Sequence, residues 1–179
     1  MPKQASADTA AARSSDRLTP LIVESARVAT PADVSDLVTL CEMAREEMAP
    51  KRGGEVLSRL DPWAAGIRGH LDWCLAADQI VVVTGCIDDT PVGYGIMRVS
   101  PAPDGNMHAV VEELFVDVDA RSVSVGETMM AFLCDEALGR GALGIESLAL
   151  PGDRATKNFF EVQGMVARAI VVHRWLDGR

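Results

Sequence analysis

The run Leu114-Phe115-Val116-Asp117-Val118-Asp119-Ala120-Arg121-Ser122-Val123-Ser124-Val125-Gly126-Glu127 carries an apolar strand into a short loop and then into the start of a helix. Such a junction binds anions through backbone alone. The first helical turn leaves several N–H groups without intrahelical acceptors, and the helix dipole adds about half a positive charge there. A pyrophosphate suits it. Glu112 and Glu113 precede this run directly. On a strand of period two, Glu112 shares a face with Leu114 and Val116 while Glu113 points to the other. His70, His108 and His173 titrate nearest neutral pH. His108 lies four residues before Glu112, about 13 Å along an extended strand and too far for direct coupling, and all three histidines are read as structural.

Composition narrows the chemistry. A chain of 179 residues with a formal charge of −9 and a pI near 4.8 lacks the positive field of non-specific nucleic-acid binding. Acidic surface favours a cationic substrate such as an amine. Cys41, Cys74, Cys86 and Cys134 are widely spaced, with no CxxC pair, so reduced thiols in a cytoplasmic protein are expected rather than a zinc site or disulfides. No metal is expected. No apolar run reaches the ~18 residues of a membrane span, and residues 1–19 hold no signal-like apolar core. Their Ala, Ser and Asp content reads as a flexible tail before one domain at 20–179.

The elements that must position the junction follow from local pattern. A strand over 21–28 precedes Thr30-Pro31-Ala32-Asp33, an N-cap with proline in the first turn, and a helix runs on to Pro50. Two short helices fill 55–75, interrupted by Pro62 and Gly66. Trp63 and Trp73, with Met43 and Met48, are core by default or line an acceptor pocket. A hairpin follows, its strands at 80–83 and 92–99 around a turn at Asp88-Asp89-Thr90-Pro91. The strand at 108–116 then feeds a helix over 122–138, closed by Gly139 and Gly141. A strand at 145–150, a helix from Pro151 to Val162 ended by Gly164, and a last strand at 166–175 complete the chain.

A second motif fixes the meaning of the first. Asp153-Arg154-Ala155-Thr156-Lys157-Asn158-Phe159-Phe160-Glu161-Val162-Gln163-Gly164-Met165 matches the spacing of an Asn-led helix ending Phe/Leu-Tyr-Glu-x-x-Gly-Phe. Leu114-Phe115-Val116, followed by Arg121-Ser122-Val123-Ser124-Val125-Gly126, matches Leu-x-Val and Arg/Gln-x-x-Gly-x-Gly/Ala with Ser124 in place of the first glycine. In this order, over residues 20–176, the chain resembles the GNAT superfamily of acyl-CoA N-acyltransferases. The fold class implied is mixed α/β, a central twisted mixed sheet flanked by helices in one acyltransferase domain.

The resemblance implies roles. Backbone groups of Leu114, Phe115 and Val116 would pair with the pantetheine arm of acetyl-CoA, and amides from Ser122, Val123, Ser124, Val125, Gly126 and Glu127 would hold its pyrophosphate. Arg121 would contact phosphate or cap the strand end. Arg154 and Lys157 would meet the 3′-phosphate or lie on an exposed helix face. Ser124 adds a Cβ near the phosphates and a hydroxyl that can donate. Glu112 occupies the place of the acidic residue in polyamine acetyltransferases of this superfamily, the base for an attacking primary amine, its rival reading being an ordinary surface glutamate. The usual tyrosine acid is replaced by Phe160, so water or the product amine must protonate the thiolate. Tyr94 is assigned to packing or acceptor binding. A small-molecule or peptide amine is the expected partner, with homodimerisation possible. Two rivals stand beside transfer: a non-catalytic acyl-CoA sensor, and an interaction domain without CoA binding.

Overall fold

A computed structural model describes residues 22–60, 66–121 and 123–178. The tail expected at 1–19, together with Pro62, Trp63 and Ser122, lies outside the described residues. The elements run β1 (Glu24–Val28), α1 (Val34–Met48), α2 (Gly54–Leu60), α3 (Ile67–Ala76), β2 (Ile80–Ile87), β3 (Thr90–Pro101), β4 (Met107–Val116), α4 (Val125–Gly139), β5 (Ala142–Ser147) and α5 (Arg154–Val162). Their order along the sheet is their order along the chain. Neighbours are antiparallel except β4 and β5, which run parallel and are joined across the sheet by α4.

Local chemistry sets the boundaries. Asp33 accepts the backbone N–H of Thr30 at 2.7 Å and its hydroxyl at 2.9 Å, with Pro31 in the opening turn, so the chain turns out of β1 and enters α1. Asp88 and Asp89 take φ of 46° and 66°, the left-handed pair a two-residue hairpin turn demands and that aspartate tolerates.

The sheet separates two apolar layers. On one face α4 sinks Val125, Met129, Met130 and Leu133 onto Val81, Val83, Met97, Val99 and Val111. On the other, α1 and α3 bring Leu37, Leu40, Cys41, Leu71 and Cys74 onto Val82, Tyr94 and Ile96. Gly85 lets α4 lie close, because a Cβ there would meet the Met129 sulfur at 2.3 Å. Each such fully buried side chain contributes about 1.5–3 kcal/mol, so both helical layers are firmly held to the strands that carry the junction.

One expected element does not form. Residues 166–175 make no strand, and Val166, Ile170, Val171 and Val172 are exposed. Three consecutive apolar residues at 170–172 give no alternation to bury one face. The segment meets β5 instead through an ion pair between Arg168 and Glu146.

Candidate functional site

The sheet opens where the sequence motif lies. Pairing of β4 with β5 ends at Val111↔Ser147, where the Ser147 hydroxyl donates to the Val111 carbonyl at 3.0 Å. Beyond that fork, Leu114, Phe115 and Val116 keep register with Gly95, Tyr94 and Gly93 of β3, while no strand among the described residues pairs with their other edge. An unpaired strand edge offers alternating N–H and C=O groups to any extended ligand. At the end of that edge stands the N-terminal turn of α4.

A bulge rearranges the carboxylates. Ile96 pairs with Glu113 but Met97 with Val111, leaving Glu112 as the extra residue of β4. The alternation expected from period two therefore fails here. Glu112 does not share a face with Leu114 and Val116. It turns toward α3, where its two oxygens accept from Arg98 Nε at 2.7 Å and Nη2 at 3.2 Å, and the guanidinium lies 5.9 Å from the Trp73 ring centre. Glu113 points away from Leu114 and Val116, as expected, but onto the same side as Glu112, and its Oε2 accepts the Tyr94 hydroxyl at 2.6 Å. Burial, and then the charges of Glu112 and Glu113, push the Cys74 thiol up to about 11. Both carboxylates thus stand on one side of the sheet, beside the fork. His70 Nε2 lies 3.2 Å from the Cys74 sulfur, a structural contact on α3.

The phosphate-cradle residues divide into backbone and side-chain parts. Val125 is fully buried and Val123 packs against the α4 core, so only their main chains face the loop. Ser124 has ordinary φ of −81° and makes no side-chain cap. Its carbonyl accepts from Thr128 N at 2.9 Å, so the amides before Thr128 have no acceptor within the helix. Gly126 faces Phe159, whose ring carbon would sit 3.4 Å from an added Cβ. Arg121 does cap the strand end, its Nε donating to the Val116 carbonyl at 2.9 Å. Its guanidinium also clasps Glu47 of α1 at 2.5 and 3.2 Å and lies 5.4 Å from the Phe115 ring centre. Lys51 then links Glu47 to Asp153, 2.8 Å from each. The Arg121 hydrogen bond, opposed by burial and aided by Lys51, holds the Glu47 carboxyl below its usual range. Lys157 pairs with Glu161 on the exposed face of α5.

Phe160 is buried in the α4 layer, edge-on to Phe159 at 5.4 Å. Glu47, Lys51, Arg98 and the Tyr94–Glu113 contact escaped the sequence reading. Apart from Glu47 and Lys51, which are four residues apart, their partners are distant in the chain, and the bulge and the turn after α1 bring them together. No helix among the described residues is long and apolar enough to cross a membrane.

Residues 40–165 match the profile of the acetyltransferase (GNAT) family. No curated protein matches the chain. Among solved structures, a transcriptional regulator from Bacillus halodurans C-125 is 17% identical, covering 86% of this chain and 100% of that one with a TM-score of 0.68. Ribosomal-protein-alanine N-acetyltransferase from Brucella melitensis biovar Abortus 2308 is 15% identical over 86% and 99% of the two chains, with a TM-score of 0.65. An acetyltransferase from Trypanosoma brucei is 20% identical over 86% and 100%, with a TM-score of 0.64. At these identities the likeness is one of fold.

Proposed function

This chain belongs to the GNAT family of acetyltransferases, and from that premise we propose that it moves an acetyl group from acetyl-CoA to a primary amine by direct attack. The observation that carries the reading is the edge of β4 at Leu114, Phe115 and Val116 that no strand among the described residues pairs, and that ends at the amides of the first turn of α4. An extended pantetheine chain matches the edge, and a pyrophosphate matches the turn. Amides beside Phe115 and Val116 polarise the thioester carbonyl. The neutral amine attacks the carbonyl carbon, a C–N bond forms, and the C–S bond breaks with its electron pair leaving on sulfur.

Glu112 takes the proton that the amine must lose, directly or through water. Arg98 holds its two oxygens in place, at 2.7 and 3.2 Å. The thiolate collects its proton from water or the product amine, since Phe160 has none to give.

Release of CoA thiol in the presence of an amine panel tests the transferase reading. Turnover with at least one primary amine is expected, and Glu112→Gln should lower kcat/KM by about 10²-fold, the lower end of general-base contributions, and flatten the acid limb of its pH profile. An unchanged pH profile would remove Glu112 from the role. The acyl-CoA sensor reading draws on the buried Phe160 and on Ser124. Acetyl-CoA binding by calorimetry with no thiol release from any amine would favour it.

A further inference from the structure

The outer flank of β5 and the end of the chain have complementary needs. β5 is the last strand of the sheet, and no strand among the described residues pairs with its far edge. Such an edge presents a row of N–H and C=O groups to any extended segment. Beside it, α4 and β5 frame an apolar groove lined by Cys134, Ala137, Leu138, Ala142, Leu143 and Ile145. Leu138 and Leu143 are 69% and 76% exposed. Edge strands are commonly guarded by charge or proline, and Ala142-Leu143-Gly144-Ile145 has neither.

Residues 166–175 supply what that edge lacks. Val166, Ile170, Val171 and Val172 are 77–88% exposed, although valine and isoleucine are well suited to a strand. A run such as Ile170-Val171-Val172, with no alternation, fits a strand covered on both faces, and a single copy covers neither. Gly164, at φ of 82°, makes the left-handed turn that leads out of α5 just before this segment. The segment carries Arg168 and Arg174 and no carboxylate, in a chain whose formal charge is −9. Both elements that frame the groove carry acid, Glu146 on β5 and Asp135 on α4.

Within one chain the segment takes another course. Ile145 packs into the α4 layer, so Glu146, the next residue, points to the opposite face of the sheet, and there it meets Arg168. Trp175 then reaches α2, its ring centre 5.2 Å from the Arg59 guanidinium. A chain end held between Glu146 and Arg59 does not run along the outer edge of β5. That edge is left for another chain.

We propose that its occupant is the 166–175 segment of a second copy, each protomer giving its strand to the other's β5 in a closed twofold pair. Exchange of one element between identical chains makes the same contact twice around the axis. Ten extended residues span about 33 Å, enough to run the length of β5. Two such strands, with the grooves beneath them, reach the scale of a specific dimer, about 800 Å² per partner. Arg168, 68% exposed in its present pair, gives up little on leaving it and meets the other copy's acidic surface in return.

Sedimentation equilibrium of the full chain from about 1 to 200 µM tests the pairing, because an association of this kind depends on concentration. A species of twice 19.1 kDa is expected. Leu143→Asp and Val172→Asp alter side chains exposed in the single copy, and each is expected to weaken the dimer at least ~100-fold, since either change enters the contact twice. A mixture of the two variants is expected to regain dimers. The intact strand of Leu143→Asp there meets the intact edge of Val172→Asp, whereas neither variant alone keeps an unaltered contact. A wild type that stays at 19.1 kDa throughout, dimers untouched by both substitutions, or a mixture no more associated than its parts would each overturn the exchange. So would an open-ended series of larger species, which a head-to-tail contact forms and a closed pair does not. Should either variant not fold by circular dichroism, Leu138→Asp replaces Leu143→Asp and Ile170→Asp replaces Val172→Asp. The pairing requires nothing of the transferase reading: thiol release by a monomer overturns only the exchange, and a dimer that acetylates no amine overturns only the transferase.

Discussion

Asp33 shows how one side chain can fix the entry to a helix and tie it to a strand. Its carboxylate accepts from both Arg27 nitrogens, at 2.6 and 2.8 Å, as well as from Thr30. The Arg27 hydrogen bonds, opposed by burial and reinforced by Thr30, hold the Asp33 carboxyl well below the usual range. Nearly half of the Arg27 side chain is exposed, so solvent screens part of the pair. Removing the carboxylate in Asp33→Ala should cost about 2 kcal/mol, most of it in hydrogen bonds to a charged acceptor. A depressed folded value stabilises above the unfolded one, near ~3.9, and the benefit disappears as pH falls through the folded value. Urea unfolding should therefore show a constant gap between wild type and variant from about pH 6 to 8 that shrinks below about pH 4. A full gap persisting at about pH 3 would show that the charge is not what stabilises. The Thr30-Pro31-Ala32-Asp33 turn was legible in the sequence because its partners are three residues apart. Arg27 was not, since nothing local says which cation the carboxylate will meet.

The same contrast holds for whole elements. The hairpin, a strand after the cradle helix, and that helix itself were readable because each rests on a near-neighbour pattern: alternation, turn residues at fixed offsets, and an apolar stripe on α4. The bulge at Glu112 was not, because it is a property of how β3 and β4 register with each other, and one unpaired residue moved a proposed base to a different face. The strand expected at 166–175 failed for a related reason. Apolar content alone does not make a strand without a face to bury and a ladder to join. At the mouth of the site three elements meet through charge, as Arg121, Glu47, Lys51 and Asp153 alternate in sign from the cradle loop through the end of α1 to the cap of α5. If Arg121 exchanges Glu47 for a phosphate, binding carries the cost of that exchange. Glu47→Gln should therefore tighten acetyl-CoA binding several-fold by calorimetry, with a stability loss below about 1 kcal/mol because the pairs are partly exposed. The gain should vanish in an Arg121→Ala background. If it survives there, repulsion by the Glu47 carboxylate, not sequestration of Arg121, was the obstacle.

Across the whole molecule, a charge of −9 acts on the two proposed substrates with opposite sign. Its field extends beyond individual contacts and weakens with ionic strength, the Debye length falling from about 30 Å at 0.01 M salt to about 10 Å at 0.1 M. A cationic amine is drawn toward such a protein. Acetyl-CoA carries several negative charges and approaches against the same field, relying at the end on main-chain amides and the α4 dipole, whose range is a single helical turn. Added salt should consequently raise the KM for a cationic amine and lower the KM for acetyl-CoA, while kcat changes little. Initial-rate measurements between about 0.01 and 0.2 M salt span the range over which the screening length shortens most. Two KM values that move together would mean salt acts on a step the substrates share, such as the ion pairs across the mouth. Two that do not move would mean the acidic surface serves solubility alone. Opposite drifts, shared by Glu47→Gln with a smaller drift for acetyl-CoA, would place the long-range field and the local pair in the same electrostatic account.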